Sequence, residues 1–297
     1  MSALSRSDNK GKLMIISSML TFGTLGLFIN NIGFPSSFIA FCRSAIGAAM
    51  IGIYMLVSKH KIDFQSIKSN AKFLLPAGTA LGFNWICLFE AYKYTGVAVA
   101  TLCYYMAPVI IILVSPFLLK EKLTPVKGIS SAVAIIGAVL ISGIATGTVK
   151  SAKGIALGLI AAALYASIVM MNKQIKYLPS IDITFIQLAV AAVIMFVYVL
   201  ITEKITTFDY NSKSIIFTLI VGVLHTGVAY LLYFTSLQHV PAQTAAIFSY
   251  IDPATAIILS AVVLNETMTT VQIIGTVLIL GATLFNEIGI NTSKKKN

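Results

Sequence analysis

Residues Leu81–Thr124 read LGFNWICLFEAYKYTGVAVATLCYYMAPVIIILVSPFLLKEKLT. The same order of features returns in residues 226–269, TGVAYLLYFTSLQHVPAQTAAIFSYIDPATAIILSAVVLNETMT. In both, two apolar runs flank a break, and the second run contains a proline and ends near a glutamate. Pro108 recurs as Pro253, a shift of 253 − 108 = 145 residues. An ungapped match of this length is an internal repeat, and a repeat determines the architecture before any local feature does.

Further residue pairs obey the same shift of 145 positions. They are Glu121 and Glu266, Gly82 and Gly227, Phe89 and Phe234, Tyr105 and Tyr250, and Trp85 and Tyr230. The repeat therefore extends over helices, breaks and helix ends rather than over a single motif.

The composition is that of an integral membrane protein. Of the 297 residues, 58% are hydrophobic and 10% are charged, and the mean hydropathy is +0.92. Soluble domains carry roughly 25% charged residues. The net charge of +11 could suggest a nucleic-acid partner, but the basic residues lie between apolar runs, where they encode membrane topology. We therefore expect membrane lipid and a small-molecule substrate as partners, and no nucleic acid.

The cysteines and the N-terminus carry no processing or metal signal. Cys42, Cys87 and Cys103 all lie inside apolar runs, where cysteine behaves as a small core residue. We expect no disulfide framework, no metal site and no cofactor. Lys10 and Lys12 precede an apolar segment without a cleavage pattern, which predicts a retained first helix.

A membrane-spanning helix needs about 20 apolar residues. The chain offers ten such segments: 12–31, 36–57, 73–93, 97–118, 126–146, 154–173, 180–201, 215–236, 241–264 and 270–288. The predicted fold is all-α, with ten transmembrane helices in two inverted five-helix repeats, 12–146 and 154–288. Because each repeat has an odd number of helices, the second enters the membrane from the opposite side. Inverted repeats with a substrate site between them are a transporter architecture.

The distribution of basic residues predicts the orientation. With a cytoplasmic N-terminus, fifteen lysines and arginines fall on the inside and five on the outside. Both termini are therefore expected in the cytoplasm, with the chain in the cytoplasmic membrane.

The repeated stretch resembles the EamA family of the drug/metabolite transporter superfamily. The resemblance is carried by FEAYKYTGVAVATLCYYMAPVIIILVSPFLLKEKLT and by FTSLQHVPAQTAAIFSYIDPATAIILSAVVLNETMT, each with a small-residue helix start, a mid-helix proline and a terminal glutamate. The resemblance covers essentially the whole chain. It implies a gradient-driven carrier, often an exporter of amino acids or related metabolites, and it does not fix the substrate.

Four ionisable residues fall well inside the apolar segments: Arg43, Glu90, His225 and Asp252. Such residues are costly in a bilayer and are therefore candidates for function. Arg43 and Glu90 lie at similar depth on consecutive helices, which predicts an ion pair between them. The alternatives are an Arg43 side chain that reaches the outer headgroups and a local pair of Glu90 with Lys93.

His225 and Asp252 fall near the middle of the eighth and ninth predicted segments. A carboxyl group in a low-dielectric environment holds its proton more readily than in water. Asp252 is therefore the predicted proton-coupling residue, with His225 as its partner or relay. The alternatives are a buried imidazole with satisfied hydrogen bonds and a carboxylate that only accepts bonds beside the proline.

Pro108 and Pro253 lie inside predicted helices, where proline removes a backbone donor and frees the carbonyls of Tyr104 and Ser249. Such groups are tolerated in a membrane where they are buried in protein or face a wet cavity. We therefore expect two kinked helices that face inward; a packed kink without a ligand is the alternative.

Several aromatic residues lie near the depth of the two prolines. Together with Ser249, they are predicted to form an amphipathic substrate-binding pocket: Trp85, Tyr104, Tyr105, Tyr230 and Tyr250. For any one ring, the alternative is contact with lipid or with a neighbouring helix.

The ends of the repeated stretch are predicted to be structural. Glu121 and Glu266 would accept bonds from the exposed N–H groups of the next helix, joining the fourth segment to the fifth and the ninth to the tenth. Four glycines of the fifth and tenth segments allow close helix approach: Gly128, Gly137, Gly275 and Gly281. These two segments are expected to serve as scaffold or as contacts of a homodimer.

The function predicted from these features is secondary active transport, not enzymatic catalysis. A phosphate-binding G-x-x-x-x-G-K-[ST] loop is missing from the sequence, which argues against an ATP-driven pump. A channel or uniporter for small polar solutes is one alternative. A membrane-embedded lipid enzyme is another, but it would need clustered carboxylates or a metal set, whereas the acids here are isolated.

Overall fold

The computed structural model describes residues 3–29, 31–95, 97–141, 151–205, 208, 210–263 and 269–294. Its first half contains α1 (Ala3–Gly23), α2 (Leu25–Ile29), α3 (Ser36–Val57), α4 (Phe64–Thr95), α5 (Val97–Tyr104), α6 (Ala107–Leu118) and α7 (Pro125–Ile141). Its second half contains α8 (Ala152–Gln174), α9 (Ser180–Thr202), α10 (Ser212–Ile220), a π-helical segment (Val221–Val228), α11 (Ala229–Leu237), α12 (Ala242–Phe248), α13 (Ile251–Val263) and α14 (Thr270–Lys294). These ranges contain no strand, which confirms the all-α prediction.

Six helical stretches within the described ranges are long and apolar enough to cross a membrane. They are Asn9–Ile29, Ser36–Val57, Phe64–Thr95, Ala152–Gln174, Ser180–Thr202 and Ser212–Leu237. Shorter apolar helices cover Ala107–Leu118, Pro125–Leu140 and Ile273–Ala282. The chain is thus a multi-pass membrane protein. The predicted segments 97–118 and 241–264 do not form single helices, because each is divided in two.

Both predicted helix kinks are complete breaks. A two-residue turn separates α5 from α6, and a second separates α12 from α13. Pro108 is the second residue of α6 and Pro253 the third of α13. In the first turn of a helix the missing N–H of proline costs no intrahelical hydrogen bond, and its fixed φ suits a helix start. Each proline therefore begins a new helix instead of bending a continuous one.

Helices that the repeat makes equivalent pack against each other. The contacts join α3 to α9 and α7 to α14. The second pair is close because Gly137 has no side chain: a Cβ there would lie 2.7 Å from the carbonyl oxygen of Gly275. Side chains added at Gly128 or Gly281 would meet no atom within 4 Å. The pair α7 and α14 is thus a scaffold within one chain, and two of its four predicted contact glycines lie on open faces.

The exterior of the bundle is apolar and the interior contains polar pairs. Leu56, Phe117 and Ile201 are 80%, 85% and 78% exposed, which is the pattern of a surface that meets lipid. Inside, the amide of Gln187 donates to Asn172 Oδ1 at 2.8 Å, between α9 and α8. Interhelical hydrogen bonds of this kind hold helices together where lipid removes the hydrophobic driving force.

Candidate functional site

A cavity of about 490 Å³ lies between the two halves, at the breaks between α5 and α6 and between α12 and α13. Its aromatic walls are Phe22, Trp85, Phe89, Tyr92, Tyr104, Tyr105, Tyr165, Tyr230 and Tyr233. Arg43, Ser249 and Asp252 also line it. A concave site with mostly aromatic walls and a few polar groups is typical of small-molecule binding.

The cavity extends toward one end of the bundle. Its lining includes Gly26 and Ile29 of α2 and Ser36 at the start of α3. The N-terminal part of α1 lies at the opposite end, where Gly11 packs against His239 and Val240. The site is therefore positioned for access from the end of the bundle that holds Ile29 and Ser36.

One buried wall of the cavity is built by a pair of repeat-equivalent residues. The ring centroids of Trp85 and Tyr230 lie 6.1 Å apart at an interplanar angle of 84°. Trp85 is 4% exposed and Tyr230 8%. The edge-to-face arrangement directs the positive edge of one ring at the negative face of the other. The wall is thus formed by both halves of the chain at once.

Arg43 is held at this wall by two contacts. Its guanidinium carbon lies 5.1 Å from the centroid of the Trp85 ring, and its Nε donates to Thr226 Oγ1 at 2.9 Å. Arg43 is 6% exposed, so the positive charge is buried and not directed to the headgroups. A cation over an indole face is a favourable way to hold such a charge.

The predicted ion pair between Arg43 and Glu90 is wrong. Glu90 Oε1 accepts hydrogen bonds from Lys93 Nζ and from the Tyr198 hydroxyl, each at 2.6 Å. Lys93 lies three residues after Glu90 and thus on the same face of α4. That face is turned toward α9, which carries Tyr198. The local alternative for Glu90 is the one that the structure shows.

Asp252 lies in the first turn of α13 and faces the cavity. Among the described residues, its carboxylate has no side-chain hydrogen bond and no ion pair. Its backbone N–H donates to the carbonyl of Ser249 at 3.3 Å. The Ser249 carbonyl, predicted to be free, is therefore occupied. The group that the helix break leaves available is the Asp252 carboxylate, at a helix N-terminus that favours negative charge.

His225 is not part of the cavity lining, and its side-chain hydrogen bond goes to Thr24 and not to Asp252. It is fully buried in the π-helical segment, and its Nε2 lies 2.8 Å from Thr24 Oγ1. Its ring packs on Phe28 at a centroid distance of 4.8 Å. The structure thus shows no contact between the predicted relay and its predicted partner. Thr24 marks the break between α1 and α2, so His225 ties that break to the second half of the chain.

Only some of the aromatic residues predicted to bind substrate line the cavity. Tyr104 and Tyr105 line the cavity, and the Tyr104 hydroxyl lies 3.5 Å from Asn84 Oδ1. Tyr250 is not part of the lining; it is 1% exposed and packs against α7 and α14 through Ala134 and Ile279. The prediction that Tyr250 faces the substrate is therefore wrong, because Tyr250 lies in the turn between α12 and α13, where its side chain packs into the scaffold.

Three cavity tyrosines were not predicted: Tyr92, Tyr165 and Tyr233. The hydroxyl of Tyr165 donates to that of Tyr233 at 2.5 Å. Tyr233 lies three residues after Tyr230, and Tyr92 seven after Trp85, so each shares a helix face with a residue that was predicted. That periodicity was a usable signal. Nothing in the sequence around Tyr165 indicates which face of α8 meets the cavity.

The end of the bundle opposite Ile29 is closed by polar contacts between the halves. Glu121 accepts bonds from the backbone N–H groups of Ala242 at 2.7 Å and Gln243 at 3.1 Å. The Gln243 side chain donates to Ser115 Oγ at 2.7 Å. Glu121 therefore caps a helix N-terminus, as predicted. The helix that it caps is α12 of the other half and not the next helix in the sequence, α7. Glu266 lies outside the described residues.

A lysine strengthens this closed end. Lys173 Nζ donates to the carbonyls of Leu237 and Val240 at 2.7 and 2.8 Å. A positive charge at the last carbonyls of α11 is favoured by the helix dipole. The turn between α11 and α12 is thus fixed on one side by Lys173 and on the other by Glu121.

Comparisons with known proteins identify the family and the fold. The chain matches the model of the EamA-like transporter family twice, over residues 9–143 and 152–287. The uncharacterized transporter YxxF of Bacillus subtilis strain 168 is 29% identical over 278 residues, 93% of this chain and 88% of that protein. An uncharacterized transporter of Archaeoglobus fulgidus is 26% identical over 282 residues, 92% of this chain and 95% of that protein. A crystal structure of a protein covers 94% of this chain and 97% of its own with a TM-score of 0.83 at 19% identity, which shows a common fold.

Proposed function

The chain belongs to the EamA-like transporter family, and from this premise we propose that it is a secondary active transporter that exports amino acids or related small metabolites across the cytoplasmic membrane. The observation that carries the proposal is the pair of opposite charges in the cavity. Arg43 and Asp252 both line it, and the aromatic rings fill the wall around them. An α-amino acid presents a carboxylate, an ammonium group and an apolar side chain, which are the complements of these three features.

The architecture supports movement of the substrate by alternating access. In this proposal, ten helices form two inverted units, 12–146 and 154–288, with both termini in the cytoplasm. The site lies at two broken helices, one from each unit, which is where inverted-repeat transporters bind their substrates. One end of the cavity is closed by the bonds that Glu121 and Ser115 of the first unit make with α12 of the second, so that opening this end would require breaking contacts between the units.

The coupling is proposed to use a proton at Asp252. A carboxylate without a protein partner in the described chain can bind either a proton or the substrate ammonium group. Binding of one would then exclude the other, which is the requirement for exchange. His225 is not needed for this step, since its ring is bonded to Thr24.

A ligand series tests the substrate class. Purified protein is heated with leucine, with isoamylamine, which lacks the carboxylate, and with 4-methylpentanoate, which lacks the amine. The amino acid is expected to raise the melting temperature more than either analogue at equal concentration, because a ligand that binds the folded state more tightly stabilises it more. The comparison is then repeated with other sets of amino acid, amine and carboxylate whose side chains differ in size. Equal shifts for the amine and the amino acid would remove Arg43 from recognition and indicate a cationic substrate.

Counterflow in proteoliposomes tests the mechanism. Uptake of labelled substrate against its gradient, driven by unlabelled substrate inside, is expected of a carrier. A channel shows no such counterflow, because its pore does not alternate between two states.

A further inference from the structure

A second cavity lies on the outer face of the bundle, away from the proposed substrate site. It is about 660 Å³ in volume and follows α3, α11 and the start of α9. Its apolar walls are Met50, Ile51, Ile181, Val228 and Leu231. Because α3 belongs to the first half and α11 to the second, this groove is shared by the two halves.

One end of the groove is polar. Tyr54, Ser58 and His60 lie there, at the C-terminal end of α3 and just beyond it. Tyr54 is 60% exposed, so its ring stands at the rim and not in the core. His60 Nε2 lies 3.0 Å from Asp182 Oδ1 on α9, which fixes the loop after α3 against the second half. The groove thus has the amphipathic profile of a lipid molecule: a long apolar part and a polar end.

The polar end is also the basic end. Lys59 and Lys61 flank His60 and are exposed. Lys59 has a φ of 53°, the left-handed conformation that turns the chain away from the end of α3. The nearby acid in this loop is engaged elsewhere, since Asp63 accepts from the backbone N–H groups of Gln65 and Ser66 and from the Ser66 hydroxyl.

These bonds, of which the one from the Ser66 hydroxyl has the largest effect, hold the pKa of the Asp63 carboxyl below its usual range. Asp63 is therefore a fixed anion at the N-terminus of α4, where it serves that helix. The buried Asp182 carboxylate is paired with His60. The two lysine charges thus remain available to an anionic headgroup.

We propose that this groove binds one anionic phospholipid, with an acyl chain between the walls of α3 and α11 and the phosphate between Lys59 and Lys61. The alignment of an apolar groove with a basic mouth is the complement of such a lipid, and basic pockets between transmembrane helices select acidic headgroups. A zwitterionic phospholipid would fill the same walls without the gain from the two charges. The inference does not depend on the transported substrate, since none of the described residues lines both the groove and the substrate cavity.

Native mass spectrometry of the delipidated full-length protein tests the headgroup. The probes are dioleoylphosphatidylglycerol, dioleoylphosphatidylcholine and soluble glycerol 3-phosphate. One phosphatidylglycerol per chain is expected to bind more tightly than phosphatidylcholine, and glycerol 3-phosphate is expected not to bind. Each lysine near an anionic lipid contributes a factor of roughly five in affinity, so that Lys59→Gln with Lys61→Gln should weaken phosphatidylglycerol binding about 25-fold.

The chain offers a matched control for these lysines. Lys120 and Lys122 are also exposed and also flank a single residue. The first of them, Lys120, has a left-handed backbone conformation with a φ of 56°, as Lys59 does. Lys120→Gln with Lys122→Gln removes the same charge from the loop between α6 and α7, two helices that do not line the groove, and is expected to leave phosphatidylglycerol affinity unchanged. Equal losses in both double variants would show general charge attraction and overturn the proposal. The single Lys61→Gln variant, with an expected loss of roughly fivefold, replaces the double variant if that one does not fold.

A second pair of variants tests the walls. Val228 lines the groove and Val223 does not, and both lie in the π-helical segment with 37% and 39% exposure. Val228→Phe fills the groove and is expected to weaken both phospholipids, whereas Val223→Phe should change neither. If Val228→Phe binds both phospholipids as the unchanged protein does, the acyl chain does not lie in the groove and the proposed site is overturned. The same conclusion follows if glycerol 3-phosphate binds as tightly as the lipid.

Discussion

The hydroxyl of Tyr250 donates a hydrogen bond to the backbone carbonyl of Tyr105 at 3.1 Å, and the two tyrosines are separated by 145 positions, the period of the repeat. Trp85 and Tyr230 are also equivalent, and their rings are in contact. Residues that touch their own equivalents lie on the axis that relates the two halves. The axis therefore passes through the helix breaks and through the cavity wall, which explains why one site is built from both halves.

Removing the Tyr250 hydroxyl should loosen the contact between the halves. Tyr250→Phe loses one buried hydrogen bond and is expected to lower the free energy of unfolding by about 1 kcal/mol. Tyr105→Phe is the matched control for stability, because Tyr105 accepts this bond through its backbone carbonyl. Both variants are compared by thermal unfolding in the same detergent. An equal loss in the two would refute the bond between the halves.

Asp252→Asn is expected to abolish transport driven by a pH gradient and to leave substrate-for-substrate exchange measurable. The substitution keeps the shape of the side chain and removes its titration. Both activities are assayed in proteoliposomes at one external pH, with Asp63→Asn, in the exposed loop before α4, as the control. Intact pH-driven transport in Asp252→Asn would remove this residue from proton coupling, and loss of both activities would indicate substrate contact instead.

Arg43 and Glu90 should act independently. Since Glu90 is bonded to Lys93 and Tyr198, the changes Arg43→Lys and Glu90→Gln are expected to add within about 0.5 kcal/mol in substrate binding or stability. Arg43→Lys and Thr226→Val, in contrast, share one hydrogen bond and should be non-additive. Two double-mutant cycles measure both couplings. A large coupling between Arg43→Lys and Glu90→Gln would indicate that these two residues interact directly, contrary to the structure.

Glu121→Ala should destabilise the closed end of the bundle. The two backbone N–H groups of α12 lose their acceptor, which typically costs about 1 kcal/mol for a helix cap. We expect a lower melting temperature and faster alkylation of a cysteine placed at Ser115, which lies beside Gln243 at this end. Lys122→Ala, one residue away and exposed, should change neither. Unaltered alkylation in Glu121→Ala would argue that the cap does not hold this end closed.

Labelling of single cysteines tests the orientation. The three native cysteines are replaced, and one cysteine is placed at Lys61, before α4, or at Lys213, in the first turn of α10. In intact cells a membrane-impermeant reagent is expected to label the second and not the first. Labelling of Lys61→Cys from outside would invert the predicted topology.

The repeat made much of the site predictable. Equivalent prolines at a fixed spacing predicted two kinked helices that face inward, and the aromatic and charged residues near that depth led to Trp85, Tyr104, Tyr105, Tyr230 and Asp252. Of these, the structure places all five at the cavity wall. The depth of a residue in the membrane follows from its position along a helix, so the sequence alone is sufficient for it.

The sequence by itself thus determined the class of protein, the two halves and the level of the site. Only the tertiary structure decided which side chains meet: Arg43 with Thr226, Glu90 with Tyr198, Glu121 with α12, and Tyr250 with the scaffold. In a soluble helix, the apolar stripe shows which face is buried. In a membrane helix the lipid face is as apolar as the protein face, so the rotation of each helix and the partners of its polar groups are fixed only when the helices pack.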